Sequence, residues 1–227
     1  PPRSTLFPYT TLFRSYWYSE LYRQLAWTLT KSTTGLADVG VELISDNRSG
    51  TYKATRSICV DSTAPANVSG LASSSHTPSV WSNVSSLAMG WNTPTDNGCA
   101  GIKGLAYSVT SGATGTPTTM NITGAATSRT VGLTSSSSGQ YFNIRAVDNV
   151  DYLSAGTASA GPYYVDLTAP AVPAVTIASG AAYTSGLSVA VTASTSDTYS
   201  GPYQMRYSAD NSTWSAWYTY TTSARTI

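Results

Sequence analysis

The chain has 227 residues, of which 69 are Ser or Thr and only 10% are charged, against the roughly 25% of ordinary soluble domains. A net charge of +1 with no basic cluster argues against nucleic acid or an anionic membrane as an electrostatic partner, and no run approaches the ~20 apolar residues that span a bilayer. Helices carrying charged faces are excluded as well; β-branched residues with 16 Tyr, 18 Gly and 11 Pro predict strands separated by turns.

Residues 1–15 (PPRSTLFPYTTLFRS) match, codon by codon, the translation of a common short-read sequencing adapter and are set apart from the fold as a non-native segment. The remainder starts at Tyr16 without an initiator Met and stops at Ile227 in mid-pattern, as expected of an internal piece of a longer protein. Residues 26–29 (Ala-Trp-Thr-Leu) and 39–43 (Val-Gly-Val-Glu-Leu) predict the closing half of a first module spanning 16–61. Next comes Val60-Asp61-Ser62-Thr63-Ala64-Pro65, which returns 105 residues later as Val165-Asp166-Leu167-Thr168-Ala169-Pro170. A repeat at this spacing, with Pro closing a β-rich run, is what β-sandwich modules joined end to end produce.

The repeat brackets one complete module, residues 62–166. Its first strand is expected near 68–71, and a second carries Val84, Leu87, Met89 and Trp91. The turn-rich 92–101 leads into a strand over 102–109, and another follows over 127–133 before a four-serine loop at 135–138. Phe142, Ile144 and Ala146 alternate with Asn143, Arg145 and Val147, and a last strand over 157–165 is broken at Gly161-Pro162. Six or seven strands in about 100 residues match an immunoglobulin-like sandwich. Residues 167–227 repeat the opening of such a module. Leu187, Val189 and Val191 are expected inward, Tyr203, Met205 and Tyr207 form the next strand, and 208–212 turn the chain into Thr213-Trp214-Ser215-Ala216-Trp217.

Residues 87–109, with Trp91 before an Asp/Gly-rich loop, and residues 141–149 (Tyr-Phe-Asn-Ile-Arg-Ala-Val-Asp-Asn) resemble the fibronectin type III-like modules of large bacterial secreted and surface proteins. Residues 73–82 resemble the same subgroup, and the segments around Trp27 and around Arg206, Trp214 and Trp217 resemble halves of bacterial Ig-like repeats ending in Asp-x-Thr-Ala-Pro. The resemblance implies an all-β fold of tandem immunoglobulin-like and fibronectin type III-like β-sandwiches, one complete and two truncated. It also implies an extracellular or cell-surface location. There are departures: Gln140 stands in phase with Phe142 and Ile144 where a corner aromatic is usual, and 46–50 and 148–151 replace the family's Asp-x-Ala-Gly-Asn turn.

In such a sandwich the loop after the second strand and the loop before the last lie at the end where the linker enters. Those loops carry Asp96 and Asp148-Asn149-Val150-Asp151, and the linker carries Asp61. Asp61, Asp96, Asp148 and Asp151 are therefore candidate ligands of a structural Ca²⁺, a hard ion that takes 6–8 oxygens; ordinary turn chemistry is the competing account. Asp166 and Asp197 repeat part of the set. Cys59, two residues before the linker Asp, and Cys99, in the facing loop, are within reach of a disulfide if their Cα atoms approach to about 7 Å; a pair of free or packing thiols is the alternative. The lone histidine, His76, is expected in an exposed loop rather than as a catalytic base, and no phosphate loop, metalloprotease helix or zinc spacing is present. Trp91 and Trp27 are expected to be structural. Trp214 and Trp217, three apart around a turn, are either a sugar-stacking pair or hairpin packing. No enzymatic activity and no other cofactor are expected. The leading function is a structural or adhesive spacer; the alternative is an accessory module that binds polysaccharide or protein for a secreted hydrolase.

Overall fold

The computed structural model describes residues 33–44 and 51–227, so the expectations placed on residues 1–15, 26–29 and 46–50 lie outside it. β1 (Gly35–Ile44) and β2 (Thr51–Val60) pair antiparallel, with Gly35 opposite Val60 and Ile44 opposite Thr51. Period-two alternation is visible: Ala37, Val39 and Val41 are half-buried, whereas Leu36, Asp38 and Glu42 are exposed. Glu42 lies opposite Lys53 and pairs with it at 3.5 Å, the cross-strand arrangement in which opposite charges help a ladder modestly.

The central segment contains β3 (Ala72–Ser73), β4 (Trp81–Ser82), β5 (Ser86–Gly90), β6 (Ile102–Ser111), β7 (Ile122–Thr123), β8 (Ser128–Gly132), β9 (Ser136–Asp148) and β10 (Ala158–Val165). One sheet has the order β3-β5-β8 and the other β4-β10-β9-β6-β7, antiparallel throughout except that β4 runs parallel to β10. The inner faces interdigitate: Leu87 and Met89 of β5 and Val131 of β8 meet Leu105 of β6, Phe142, Ile144 and Ala146 of β9, and Tyr163 and Val165 of β10. This is an all-β sandwich, built as the alternation predicts. Trp91 stacks on Phe142 at 5.9 Å and Phe142 on Tyr107 at 5.4 Å, while the buried indole N–H of Trp91 donates to the Ala126 carbonyl at 2.8 Å.

The structure departs from the sequence expectations where polar side chains do the packing. Residues 68–71, expected as the first strand, form none; the segment instead opens with the short β3 in one sheet and β4 in the other, and the crossover between them is held by His76. That residue is buried, not exposed: its Nε2–H donates to the Val84 carbonyl at 2.8 Å, Nδ1 meets the Ser75 hydroxyl at 2.8 Å, and its ring edge packs on Tyr163. Val84 lies outside β5 and is exposed. The serines at 136–138 belong to β9 instead of forming a loop, and β10 runs through Gly161-Pro162 with a bulge. Gln140, at the corner position, is buried and bonds the Thr134 backbone through both ends of its amide, accepting from N–H at 3.3 Å and donating to C=O at 2.7 Å.

Residues beyond 170 form β11 (Ala174–Ile177), β12 (Ala190–Ser194), β13 (Gln204–Met205), β14 (Tyr218–Thr219) and β15 (Arg225–Thr226), in sheets ordered β11-β12-β15 and β13-β14. Val191 is buried here as expected; Leu187 is fully exposed, because it precedes β12 and has no facing strand. Among the described residues no helix is long and apolar enough to cross a membrane.

Candidate functional site

The repeated Val-Asp-x-Thr-Ala-Pro linker has a defined local structure. Asp61 Oδ1 accepts from the Thr63 backbone N–H at 2.9 Å and the Thr63 hydroxyl at 2.8 Å, a turn closed by the side chain two residues back. Its Oδ2 reaches across to the loop between β5 and β6 and accepts from the Ala100 N–H at 2.9 Å. Three residues further along, the Ala66 N–H donates to the Thr95 carbonyl at 3.0 Å. The second copy repeats each contact. Asp166 Oδ1 accepts from Thr168 N–H at 2.9 Å and its hydroxyl at 2.6 Å, Oδ2 accepts from Ser200 N–H at 3.0 Å and its hydroxyl at 2.7 Å, and Ala171 N–H donates to Ser196 C=O at 2.9 Å. These donors stabilise the ionised form. The Thr63 and Ala100 amides hold the Asp61 carboxyl below the usual carboxylate range, and the Thr168 hydroxyl, then its amide, does the same for Asp166.

The first junction has two further features. Cys59, at the end of β2, is bonded to Cys99 in the β5–β6 loop, with Cα atoms 5.9 Å apart. Next to that bridge, Asp61, Asp96 and Asp148 each place a carboxylate oxygen within 4.8 Å of the other two. Asp96 is oriented by the Gly98 N–H on Oδ1 at 3.1 Å and the Gly101 N–H on Oδ2 at 2.7 Å. Asp148 closes β9, and its Oδ1 accepts from the Val150 and Tyr152 amides, each at 2.9 Å. Asn149 ties the two loops together, its side-chain amide donating to the Ala100 carbonyl at 2.7 Å.

Of the four acids expected to converge, Asp151 does not. Its φ of 70° turns it away, and its carboxylate pairs with Lys103 Nζ at 2.5 Å. Asp197 accompanies Asp166 at the second junction, where its Oδ1 accepts from Tyr199 N–H at 3.1 Å. Trp214 and Trp217 are brought together by a residue that spacing alone did not single out. The Arg206 guanidinium lies 4.8 Å from one ring centroid and 4.6 Å from the other, so it occupies a face of each half-exposed indole. A second overlooked residue is Gly98: a Cβ there would sit 1.9 Å from Asp61 Oδ2, so the glycine makes room for the carboxylate. Its sequence signal was the Asp-x-Gly turn itself, legible as a turn but not as a cradle.

Neither a protein-family model nor a curated protein sequence matches the chain. Among solved structures, domains d3-d4 of the rat CD45 extracellular region are similar over 70% of this chain and 84% of that one, at 14% identity and a TM-score of 0.35. The sandwich assignment rests on the strand order and the core described above.

Proposed function

We propose that the chain is a length of non-catalytic spacer from a bacterial secreted or surface protein, in which β-sandwich modules follow one another and each linker is fastened to the module it enters. The observation that carries this reading is the clamp that recurs at both copies of the repeat: an Asp held by the Thr two residues on, and by an amide of the next segment's loop. A linker meant only as a flexible tether has no use for a carboxylate fixed at both oxygens. Fixing it limits bending where sandwiches meet, which lets a series of them give reach. The Ser/Thr-rich, weakly charged composition and the two cysteines joined to each other suit an oxidising exterior.

Small-angle scattering on the parent chain and on an Asp61→Ala/Asp166→Ala variant tests this. The variant is expected to gain the scattering of a flexible chain while its sandwich core stays folded by circular dichroism; identical profiles would sink the spacer reading. The accessory-module reading draws on the Trp214–Arg206–Trp217 cluster, a half-exposed aromatic and cationic surface. Binding of a neutral oligosaccharide that disappears in Trp217→Ala would move the assignment there.

A further inference from the structure

We infer that Asp61, Asp96 and Asp148 form a binding site for one hard divalent cation, Ca²⁺ by its chemistry, at the first junction. The inference rests on the proposed role of that junction as a fastening between segments. The three carboxylates come from the linker, the β5–β6 loop and the end of β9, segments far apart in sequence, and their oxygens lie within 4.8 Å of one another. Three carboxylates this close repel one another, and a cation between them would relieve that repulsion. Among the described residues none of the three takes part in an ion pair: Lys103, seven residues after Asp96, is matched by Asp151, and Arg145, three residues before Asp148, donates to the Ser154 carbonyl.

The independent sign is Asp148. The residue has no exposed surface, its Oδ1 is taken by two backbone amides, and its Oδ2 is buried without a hydrogen-bond partner among the described residues. A buried carboxylate oxygen left without a donor is costly, and a cation bound by all three acids is what would satisfy it. Each carboxylate is also pre-aimed by backbone N–H groups, which leave lone pairs free while fixing direction: Thr63 and Ala100 on Asp61, Gly98 and Gly101 on Asp96, Val150 and Tyr152 on Asp148.

The donor set chooses the ion. Cys59 and Cys99 lie within the same reach of Asp61, but their sulfurs are bonded to each other and offer no thiolate, so the available ligands are all oxygen. Oxygen-only donors favour Ca²⁺ or Mg²⁺ over zinc or copper, and three carboxylates from separate loops, completed by water, suit the loose 6–8 coordination of Ca²⁺ better than a strict octahedron. At the second junction Asp166 and Asp197 recur with no third acid beside them among the described residues, which therefore offer one such site.

The test is thermal melting of the oxidised 227-residue chain in EDTA and in about 5 mM CaCl₂, above the roughly 10⁻⁴–10⁻³ M range of extracellular calcium modules. Calcium is expected to raise the midpoint by about 5 °C, and calorimetric titration to show a single site. Asp148→Asn and Asp96→Asn should abolish the shift, and Asp151→Asn should keep it. In EDTA, Asp148→Asn should melt no lower than the parent, because the amide oxygen still accepts from Val150 and Tyr152 while a buried charge is removed. Equal midpoints with and without calcium, no titratable heat, or a shift that both Asp148→Asn and Asp96→Asn retain would each overturn the site. None of those results bears on the scattering of the clamp variant, so the spacer reading stands or falls separately.

Discussion

Asp61 and Asp166 occupy corresponding positions in the two copies of the repeat, and both are held ionised by hydrogen bonds that exist only in the folded chain. An unfolded Asp titrates near ~3.9, and in the folded chain both lie lower. Stability from this difference is present above the unfolded value and is lost as pH falls through and below it, since the unfolded state then takes up protons that the folded clamp refuses. A melting series from pH 6 to pH 2 in EDTA is expected to fall steeply below about pH 4. Asp61→Asn with Asp166→Asn should flatten that fall; an unchanged slope would show that the clamps do not set acid stability. Gly98 belongs to the same unit. Gly98→Ala brings a methyl to within 1.9 Å of Asp61 Oδ2, and the carboxylate can yield only by surrendering its Thr63 and Ala100 bonds. Gly98→Ala should therefore lower the melting midpoint about as far as Asp61→Ala, and the double variant should add little, since both remove one interaction.

At the scale of strands, the stack of Trp91, Phe142 and Tyr107 joins β6 and β9 of one sheet to the residue that follows β5 in the other. Trp91→Ala removes one end of this stack and orphans the Ala126 carbonyl, with an expected loss of about 3–5 kcal/mol in denaturant unfolding. Asn143→Ala belongs beside it. The buried Asn143 amide accepts from Gly115 N–H at 3.0 Å and Ser159 hydroxyl at 2.8 Å and donates to Thr110 hydroxyl at 3.0 Å, so its removal should cost about 1–3 kcal/mol. These two residues show what could be read in advance. Leu105, Phe142 and Ile144 follow the alternation on strands that fall where it places them, and Trp91 keeps the phase one residue past the end of β5. Asn143 and Val147, on the opposite face of the same strand, are also buried: loop 112–119 folds over Asn143, and the chain after β9 returns to pair Leu153 with Val147. Alternation cannot report a loop that returns from elsewhere. For the same reason His76 looked like loop chemistry until the β3–β4 crossover put it against Tyr163. At the candidate site, Asp61, Asp96 and Asp148 were legible because the order of strands alone brings their loops to one end. Asp151 was not, since its direction depends on a single positive φ and on Lys103.

The two junctions form a comparison within one molecule. Both carry the Asp clamp and the amide bond that follows it, but the first alone adds a covalent link, Cys59 to Cys99, across 40 residues. A closed loop of that length restricts the unfolded chain by about 4 kcal/mol in the chain-entropy account, which makes it the largest single difference between the junctions. Non-reducing mass spectrometry should find the chain lighter by two hydrogens and free of thiols. Reduction, or Cys59→Ser with Cys99→Ser, should lower denaturant stability by up to about that amount, and less if β1 and β2 detach from the central sandwich before it unfolds. Limited proteolysis separates these outcomes. After reduction, cleavage at Ser62, Thr63 and Ala64 should accelerate while the matching Leu167, Thr168 and Ala169 keep their rate, because nothing at the second junction has changed. If both linkers become sensitive together, the bridge acts on the whole fold; if neither does, the Asp clamp alone holds each junction and the disulfide is redundant to it.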